Sequence, residues 1–327
     1  MKALLIAGGF GTRMRPLTYT RPKHLLPIAN RPHIEHVFDL LQRHDVNACV
    51  LLTSYLAEAF EETVRTAKDR GMTVEVAHEE VPLGTAGALK NAADLIGDET
   101  FLALNGDVLT EADLGALVRF HLDHSSQATI LLTPVEDPSA FGVVPTDATG
   151  KVEAFIEKPP PGEAPTNLIN AGVYVIEAGV LDRIPAGRES SAERELFPSL
   201  VQDGLMFAMP TDAYWMDVGT PEKYLRANMD ALEGAYVTEA ISMMAEGSVV
   251  LGEGAQIEQD ATVSSSCIGA DSRIAAGASV EGSVLLPDVE IRSGAVVKNS
   301  VLGQGVRVGE RARLEGATVG DNETVEE

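Results

Sequence analysis

Residues 3–18, ALLIAGGFGTRMRPLT, decide how the fold begins. The apolar run Ala3–Ala7 is long enough for one buried strand, and three glycines follow it: Gly8, Gly9 and Gly11. Continuous apolar strands of this kind are typical of parallel sheets that are covered on both faces. Glycines directly after such a strand let backbone N–H groups approach an anion closely. The stretch therefore predicts an α/β fold that opens with a strand and an anion-binding loop.

Short apolar runs alternate with amphipathic helical patterns as far as about residue 235. The predicted strands are Ala3–Ala7, Ala48–Thr53, Thr73–Ala77, Phe101–Leu104 and Thr129–Leu132. This alternation predicts a Rossmann-like, mostly parallel sheet with helices on both faces. Such sheets bind ligands at the carboxyl ends of their strands, and the loops Gly8–Arg13 and Asn105–Asp107 lie at those ends.

The last part of the chain follows a different period. Apolar residues recur at spacings of 6, 6 and 5, which makes a 17-residue repeat. We expect these positions to face inward: Leu251, Ile257, Val263, Ile268, Ile274, Val280, Leu285, Ile291, Val297, Leu302, Val308, Leu314, Val319 and Val325. A helix cannot keep one face at this spacing, whereas a coil of three short strands per turn can. The pattern resembles the hexapeptide repeat of left-handed parallel β-helices, and it predicts domains at residues 1–235 and 246–327 with a linker near Gly234–Gly247.

The charge of the chain is unevenly distributed. The sequence has 49 acidic and 25 basic residues and a formal net charge of −24, yet residues 1–34 contain six basic residues and no acidic one. A strongly acidic protein repels nucleic acid and anionic membranes, so we expect neither as a partner. The basic segment predicts a small anionic ligand near Arg13 and Lys23. Chance, together with adaptation of an acidic protein to salt, is the alternative explanation of the uneven charge.

The cysteines and histidines argue against several other kinds of site. The only two cysteines, Cys49 and Cys267, have no metal-binding or redox spacing, which indicates inert thiols in a reducing compartment. No apolar run approaches the roughly 18 residues of a membrane span, and the first residues do not resemble a signal peptide, so we expect a cytoplasmic protein. The repeat contains no histidine that could serve as the base of a β-helix acyltransferase. We expect it to be a scaffold and an interface in a homo-oligomer.

Several segments, in chain order, resemble the signature of the sugar-phosphate nucleotidyltransferases. They are residues 8–18 (GGFGTRMRPLT), 21–32 (RPKHLLPIANRP), 80–87 (EVPLGTAG), 105–107 (NGD), 141–144 (FGVV), 157–159 (EKP), 170–172 (NAG) and 214–221 (YWMDVGTP). The ordered set is specific although each piece alone is common. The resemblance covers roughly residues 1–235. It implies an enzyme that joins a nucleoside triphosphate to a sugar 1-phosphate and releases pyrophosphate.

The resemblance also implies roles for individual residues. Asp107 and Asp217 are the implied ligands of Mg²⁺, and they form the catalytic set together with Arg13 and Lys23. The implied nucleotide-binding residues are Gly8, Gly9, Gly11, Thr12, Arg13, Lys23, Glu80, Pro82, Gly84, Thr85, Asn105 and Gly106. The implied sugar-phosphate-binding residues are Gly142, Glu157, Lys158, Asn170 and Gly172. Elementary chemistry agrees, because attack of a phosphate oxygen on an α-phosphorus needs cations and a carboxylate-held metal rather than a protein nucleophile.

Some of these residues have a purely structural alternative. Asp107 could be a turn residue or the cap of a helix near Glu111–His121. Asp217 could cap a helix near Pro221–Leu232, although Thr220 suits that position better. Lys158 could be an exposed loop lysine.

The substrates follow from finer resemblance. The loop at residues 82–87 and the segment 214–225 resemble the mannose 1-phosphate guanylyltransferases, which implies GTP and mannose 1-phosphate as substrates and GDP-mannose as product. Glucose 1-phosphate with dTTP or UTP is the alternative pair. A noncatalytic regulatory subunit that binds a nucleotide sugar is an alternative of a different class, but the presence of all the implied cations and carboxylates favours an enzyme.

Overall fold

The computed structural model describes residues 1–79, 81–238, 241, 245–246 and 248–326. Glu80, residues 239–240, 242–244 and 247 of the predicted linker, and the last residue of the predicted second domain lie outside the described residues. The chain divides into two compact units. The first consists of Met1–Gly9 and Val37–Trp215, and the second of Phe10–His36 and Met216–Glu327.

Strands and helices alternate along residues 1–238. The strands are β1 (Ala3–Ile6), β2 (Pro27–Ile28), β3 (Arg31–Pro32), β4 (Ala48–Thr53), β5 (Thr73–His78), β6 (Phe101–Asn105), β7 (Val108–Thr110), β8 (Ala128–Pro134), β9 (Gly142–Val143), β10 (Ile156–Glu157), β11 (Leu168–Ile176), β12 (Met206–Pro210) and β13 (Trp215–Asp217). The α-helices are α1 (His33–Arg43), α2 (Glu61–Asp69), α3 (Gly84–Asn91), α4 (Ala93–Ile96), α5 (Leu114–Asp123), α6 (Phe197–Gln202) and α7 (Pro221–Leu232). The described part of the chain contains no helix with the length and apolarity that a membrane crossing needs.

The first unit is built on one mixed sheet with the strand order β10-β9-β11-β6-β1-β4-β5, and β8 and β12 continue it beside β11. β1 pairs in parallel with β4 and β6, whereas β11 runs antiparallel to β6, β8 and β9. Leu4 and Leu5 are both fully buried. Because successive side chains of a strand point to opposite faces, both faces of β1 are covered. The predicted Rossmann-like sheet is confirmed, and β11 makes it more mixed than the alternation of strands and helices indicates.

Two strands depart from the pattern that the sequence predicts. In the sequence, Asn170 and Gly172 resemble a turn that precedes a strand at Val173–Ile176, whereas β11 begins at Leu168 and continues through both residues, with a register shift against β8 between Asn170 and Tyr174. A bulge lets a strand continue through a segment that otherwise resembles a turn. β12 has no counterpart in the sequence prediction, because its sequence MFAMP contains no β-branched residue.

The repeat in the second unit forms three sheets whose strands pair in parallel from one coil to the next, and Ala245–Glu246 adds an antiparallel strand at the edge of one of them. The strands are β14 (Ala245–Glu246), β15 (Val249–Leu251), β16 (Gln256–Ile257), β17 (Thr262–Ser264), β18 (Ser266–Ile268), β19 (Arg273–Ile274), β20 (Ser279–Glu281), β21 (Val284–Leu285), β22 (Glu290–Ile291), β23 (Val296–Lys298), β24 (Val301–Leu302), β25 (Arg307–Val308), β26 (Arg313–Glu315), β27 (Thr318–Val319) and β28 (Thr324–Val325). Partners along each sheet are 17 residues apart, as for Leu251 with Ile268 and Ile268 with Leu285. The predicted β-helical coil is confirmed.

The predicted inward-facing residues form the core of this coil. Ile274, Ile291 and Val297 are fully buried. Ile257 departs from the prediction, since 39% of its surface is exposed. It lies in β16, which is the edge strand of its sheet and has a neighbouring strand on one side only.

The second unit also contains residues 10–36, which we call the basic loop. The Tyr224 hydroxyl of α7 donates a hydrogen bond to the carbonyl of Pro27 (2.6 Å), and the Ala29 N–H donates to Asn228 Oδ1 (2.9 Å). The Asn30 side-chain amide donates to the carbonyl of Ile268 in β18 (2.7 Å). The loop has little regular structure of its own, so it depends on α7 and on the coils for its conformation.

Candidate functional site

In the first unit, the carboxyl ends of β1, β4, β5 and β6 meet along one side of the sheet, which we call the sheet edge. The Gly106 N–H donates to the carbonyl of Ile6 (3.0 Å), and the Ser54 hydroxyl donates to the carbonyl of Gly8. A Cβ on Gly8 would lie 3.2 Å from Ser54 Oγ and 3.5 Å from Glu79 Oε2. The predicted residues Gly8, Asn105 and Gly106 therefore lie where a parallel sheet binds ligands.

Glu79 is a residue of this edge that the sequence analysis does not identify. It directly follows β5 and is buried, and its Oε1 has no hydrogen-bond partner among the described residues. Burial raises the pKa of Glu79, although the Leu83 N–H donates to its carboxyl group and opposes that rise. A buried polar atom without a partner is costly and calls for an explanation, which a bound ligand would supply. No feature of the single sequence separates Glu79 from Glu80, which the family resemblance implies instead.

Asp107 lies in the turn between β6 and β7 and is partly buried. The helix that follows is capped by Asp113, whose side chain accepts a hydrogen bond from the Ala116 N–H (2.8 Å). The alternative of Asp107 as the cap of this helix is therefore wrong.

The predicted sugar-phosphate residues of β9 and β10 lie directly opposite one another. Gly142 pairs with Glu157 in the antiparallel register, and a Cβ on Gly142 would come within 2.7 Å of the Phe155 ring and 3.1 Å of Glu157 Oε2. Lys158 has a positive φ of 51° and an exposed side chain, with its Nζ 3.6 Å from Glu157 Oε1. The structure thus brings a glycine, a carboxylate and an exposed ammonium group together.

Asn170 and Gly172 hold the bulge of β11. Asn170 Oδ1 accepts a hydrogen bond from the Gly172 N–H (2.8 Å), and Asn170 Nδ2 donates to the Tyr174 hydroxyl (2.7 Å). Gly172 has a φ of +73°, and a Cβ there would lie 2.7 Å from Asn105 Nδ2. Only glycine combines this conformation with so close an approach, so the bulge brings β11 against the end of β6.

The surroundings of Tyr174 show that this part of the unit is acidic. Burial, together with the negative charges of Glu193, Glu157 and Asp107, raises the pKa of the Tyr174 hydroxyl. Three carboxylates therefore influence one buried hydroxyl. Carboxylate oxygens accept hydrogen bonds from sugar hydroxyls and coordinate hard cations.

The residues implied for base contact are tied into the first unit through a neighbouring segment. The Thr85 hydroxyl donates to Glu193 Oε2 (2.7 Å) and accepts from the Ala192 N–H (2.8 Å). A Cβ on Gly84 would lie 2.6 Å from the carbonyl oxygen of Ser190. Both residues thus have clear structural functions at the start of α3, whereas Pro82 is exposed.

In the second unit, the start of the basic loop turns sharply. Gly11 has a φ of +60°, its carbonyl accepts a hydrogen bond from the Thr18 hydroxyl (2.8 Å), and a short helical turn follows at Thr12–Met14. Met14 is fully buried while Arg13 is exposed. The buried methionine anchors the turn and leaves the guanidinium group accessible.

Lys23 and Arg13 lie beside other predicted residues of the second unit. A Cβ on Gly11 would lie 3.4 Å from the Cβ of Lys23. A Cβ on Gly219 would lie 2.8 Å from Arg13 Nη2 and 2.9 Å from Asp217 Oδ1, so these two side chains flank the same glycine. The structure therefore places the Arg13 guanidinium group beside a partly buried carboxylate, with Lys23 beside Gly11.

Asp217 is not a helix cap. Thr220 caps α7, since its side chain accepts from the Lys223 N–H (3.4 Å), while Asp217 Oδ2 is 3.2 Å from Lys223 Nζ. The sequence preference for Thr220 as the cap is confirmed.

Each unit contains one predicted carboxylate whose chemistry suits a hard divalent cation. The described residues contain no group of three His, Cys, Asp or Glu side chains that could hold a metal ion. Asp107 and Asp217 offer oxygen ligands, and Mg²⁺ takes one or two carboxylates and completes its coordination with water and phosphate oxygens. Taken within its own unit, each of these carboxylates therefore suits a metal that also binds a phosphate ligand.

Comparisons with known proteins agree with this arrangement. Residues 2–234 match the nucleotidyl transferase family model, and residues 245–327 match the GMPPB C-terminal domain. The chain is 42% identical over 241 residues to the mannose-1-phosphate guanylyltransferase of Mycobacterium tuberculosis, which covers 73% of this chain and 67% of that protein. It is 39% identical over 285 residues to probable mannose-1-phosphate guanylyltransferase 3 of Oryza sativa subsp. japonica, covering 82% of this chain and 78% of that protein.

Two solved structures are also similar. The crystal structure of HddC from Yersinia pseudotuberculosis complexed with GMP-PN is 30% identical, with a TM-score of 0.61 over 69% of this chain and 97% of that chain. A putative glucose-1-phosphate thymidylyltransferase from Bacillus anthracis, in complex with a sucrose, shares the fold at 24% identity, with a TM-score of 0.66 over 74% of this chain and 99% of that chain.

Proposed function

The chain belongs to the nucleotidyl transferase family, and we propose that it converts GTP and mannose 1-phosphate into GDP-mannose and pyrophosphate. The family that the sequence motifs imply is thereby confirmed. The names of the relatives support the choice of mannose 1-phosphate and of a guanine nucleotide. The observation that carries the base preference within this molecule is the buried carboxylate of Glu79.

Glu79 has the chemistry to select guanine. A carboxylate is an acceptor only, and guanine presents two adjacent donors, N1–H and N2–H, to a single group. Uracil and thymine present one donor, N3–H, between two carbonyl acceptors that a carboxylate repels. Because the buried Oε1 of Glu79 has no partner among the described residues, a base that supplies both donors relieves the cost of burying it.

The reaction requires no covalent intermediate with the protein. An oxygen of the sugar phosphate forms a bond to the α-phosphorus of GTP, the bond from that phosphorus to the oxygen leading to the β-phosphate breaks, and pyrophosphate leaves with the electron pair. The barrier arises from repulsion between two anions and from charge that accumulates on the leaving group. We assign Arg13 and Lys23 to neutralise the triphosphate, with backbone N–H groups of Gly8, Gly9, Gly11 and Thr12 around it.

The sugar phosphate is assigned to the residues around β9, β10 and β11. Glu157 accepts hydrogen bonds from sugar hydroxyls, and the exposed ammonium group of Lys158 binds the phosphate. Gly142, Asn170 and Gly172 shape this subsite, because a side chain at either glycine would collide with its neighbours.

Nucleotidyltransferases of this family generally use a divalent metal. We propose that the metal is Mg²⁺ and that Asp107 and Asp217 hold it. When bound, Mg²⁺ supplies positive charge that stabilises the leaving pyrophosphate.

The function is tested by combining each of five nucleoside triphosphates with mannose 1-phosphate and glucose 1-phosphate and measuring pyrophosphate release. GTP with mannose 1-phosphate is expected to react fastest.

Glu79→Gln replaces one acceptor with a donor and is expected to reduce kcat/KM for GTP by about 10²-fold relative to UTP. Glu75→Gln in β5, the strand that directly precedes Glu79, is the control; Glu75 pairs with Lys2 at 3.0 Å, and its replacement should leave the preference unchanged. Equal rates with all bases would contradict the proposed preference, and no release at all would favour a regulatory subunit.

We also propose residues 1–235 as the catalytic domain and 246–327 as the β-helix domain, which the limits of the two matched family models support.

A reducing, cytoplasmic location is supported by Cys49 and Cys267. Both are free, buried thiols, and burial raises the pKa of each to about 12. Assembly into a homo-oligomer through the β-helix stays a proposal, and measuring the mass of the purified protein by light scattering tests it.

A further inference from the structure

The segment of the basic loop between Arg13 and Lys23 contacts the last coil of the β-helix. Arg21 Nη2 donates hydrogen bonds to Asp321 Oδ2 (2.7 Å) and to Gln304 Oε1 (2.9 Å). The Thr20 hydroxyl donates to the same oxygen of Asp321. Two consecutive loop residues are therefore held by one carboxylate.

Asp321 is itself fixed within the coil. Its Oδ1 accepts a hydrogen bond from the Gln304 N–H (2.7 Å), and Gln304 Nε2 donates to Asp288 Oδ2 in the preceding coil (3.1 Å). Three successive coils thus form one hydrogen-bond network that ends at Arg21. The Asp321 side chain is 6% exposed and the Arg21 side chain 17% exposed. A pair so shielded from water, with each partner held by further hydrogen bonds, is stronger and better defined than an exposed ion pair.

A second contact lies on the other side of this segment. A Cβ on Gly320 would lie 3.1 Å from the Cβ of Pro16, so the loop backbone passes close to the coil there. Pro16 comes three residues after Arg13, and Arg21 comes two residues before Lys23. The last coil therefore contacts both ends of the chain segment that separates the two cations.

We propose that Asp321, Gln304 and Arg21 are positioning residues that hold Arg13 and Lys23 in the arrangement that binds a triphosphate. This inference rests on the proposed nucleotide-binding function of those two cations. Cations that are already in place lose less conformational entropy when a polyanion binds. The β-helix then contributes directly to nucleotide affinity, in addition to its function as a scaffold.

If Asp321 affected the basic loop only through its charge, replacing it would change the nucleotide affinity in the opposite direction. Removing the negative charge of Asp321 makes the surroundings of the basic loop more positive, which by itself would strengthen the binding of an anion. Loss of positioning weakens that binding. The sign of the change in nucleotide affinity therefore separates the two explanations.

The test compares Asp321→Ala with Glu253→Ala in the full chain. Glu253 is exposed and occupies the same position four coils earlier, two residues after Leu251 as Asp321 follows Val319. We expect Asp321→Ala to raise the KM for GTP about tenfold, with less than a twofold change in the KM for mannose 1-phosphate. Glu253→Ala should leave both values unchanged. Asp321→Asn keeps the side-chain shape but only one of the two acceptor oxygens, so it should recover part of the lost affinity.

Coupling to Arg21 is tested with Arg21→Ala and with the double variant. Each single substitution should weaken GTP binding to a similar extent, and the double variant should be no weaker than either, since both remove the same contact. An unchanged or lower KM for GTP in Asp321→Ala would overturn the proposal. It would also be overturned if both KM values rose equally while the melting temperature fell, because that result indicates a purely structural contact.

The positioning function and the proposed activity can fail separately. The affinity of each variant for each nucleoside triphosphate is also measured by equilibrium dialysis without sugar phosphate, which requires no turnover. If another triphosphate is the better substrate, the guanine assignment is wrong, and the comparison of Asp321→Ala with Glu253→Ala is decided with that nucleotide.

Discussion

The sheet edge of the first unit and the basic loop of the second unit hold their functional side chains in different ways. Gly8, Asn105 and Asp107 lie at or just beyond the ends of strands whose backbone hydrogen bonds set their positions, as the 3.0 Å bond from Gly106 to Ile6 illustrates. The basic loop has only short helical turns and two-residue strands, and its position depends on side chains of α7 and of the coils. A strand-end site is therefore largely determined by local pattern, whereas the loop site depends on distant partners.

The two regions also differ in charge. At the sheet edge, Glu79 and Asp107 are carboxylates, and negative charge contributes to raising the pKa of Tyr174. The basic loop contains Arg13, Arg15, Arg21 and Lys23 but only one acidic residue, Glu35. Carboxylates suit a metal ion, sugar hydroxyls and the donor edge of a base, whereas the cations suit phosphates. The net charge of −24 is therefore a sum over regions of different charge, and these two regions suit different kinds of ligand.

The largest effect is expected from Asp217→Ala, which removes a carboxylate from among the cations of the second unit. Turnover should fall on the order of 10³-fold, since a proposed metal ligand is lost. The melting temperature should change little because Asp217 is only partly buried. Pyrophosphate release and thermal unfolding measure the two quantities. Lys223→Met removes the partner of Asp217 but not the carboxylate and should have a much smaller effect; wild-type release by Asp217→Ala would refute the metal assignment.

Lys23→Ala tests whether the basic loop binds the nucleotide. It should weaken GTP binding by about 10²-fold and leave the affinity for mannose 1-phosphate nearly unchanged, because a charge-assisted contact to phosphate is lost. Calorimetric titration with each ligand gives both affinities. Arg31→Ala removes another cation of the same loop, one that pairs with Glu35 at 2.7 Å, and it is the matched control. A larger loss for mannose 1-phosphate would exchange the assignments of the two subsites.

Asn170→Ala tests the geometry of the first unit rather than its charge. Losing both hydrogen bonds of the Asn170 side chain should loosen the bulge of β11 and raise the KM for mannose 1-phosphate about tenfold. Tyr174→Phe removes only one of these bonds and should have a smaller effect. Steady-state kinetics at saturating GTP measures the difference. If the two variants were equally impaired, the backbone contact to Gly172 would have no separate importance.

The smallest effect is expected from the pH dependence of Glu79. Because burial raises its pKa, Glu79 becomes protonated at a higher pH than an ordinary carboxyl, and GTP affinity should fall as the pH decreases through that value. The free energy of unfolding depends on pH in the opposite direction. Because the pKa of Glu79 is higher in the folded than in the unfolded state, stability is lost as the pH rises through the folded-state pKa. Glu79→Gln should therefore raise the melting temperature at neutral pH but not in acid. A variant that melts identically to the wild type at both pH values would contradict the cost of burying this charge.

Much of the fold is predictable from the sequence, and so is the list of candidate residues. The strand Ala48–Thr53 has the predicted bounds, and the cap of α7 is the predicted Thr220. The extent of β11 is not predictable, because Asn170-Ala171-Gly172 resembles a turn until the bulge and the contact with Asn105 are seen. The importance of Glu79 is not predictable either, because burial and an absent partner are properties of three-dimensional packing. The assignment of ligands to these residues stays a prediction.

Local patterns in the sequence are enough to predict an α/β sheet in the first part of the chain and a coil in the last part. An apolar run is enough to predict a buried strand, and a 17-residue repeat is enough to predict a coil in which each of the three sides places one apolar residue inward. Both predictions use residues that are close together in the sequence. The contact between Arg21 and Asp321, 300 residues further along the chain, is visible only in three dimensions. No local pattern contains that pairing, because an ion pair depends on where the path of the backbone brings two side chains. The first strand and the glycines after it therefore predict an anion-binding loop, and the last coil decides how the cations of that loop are held.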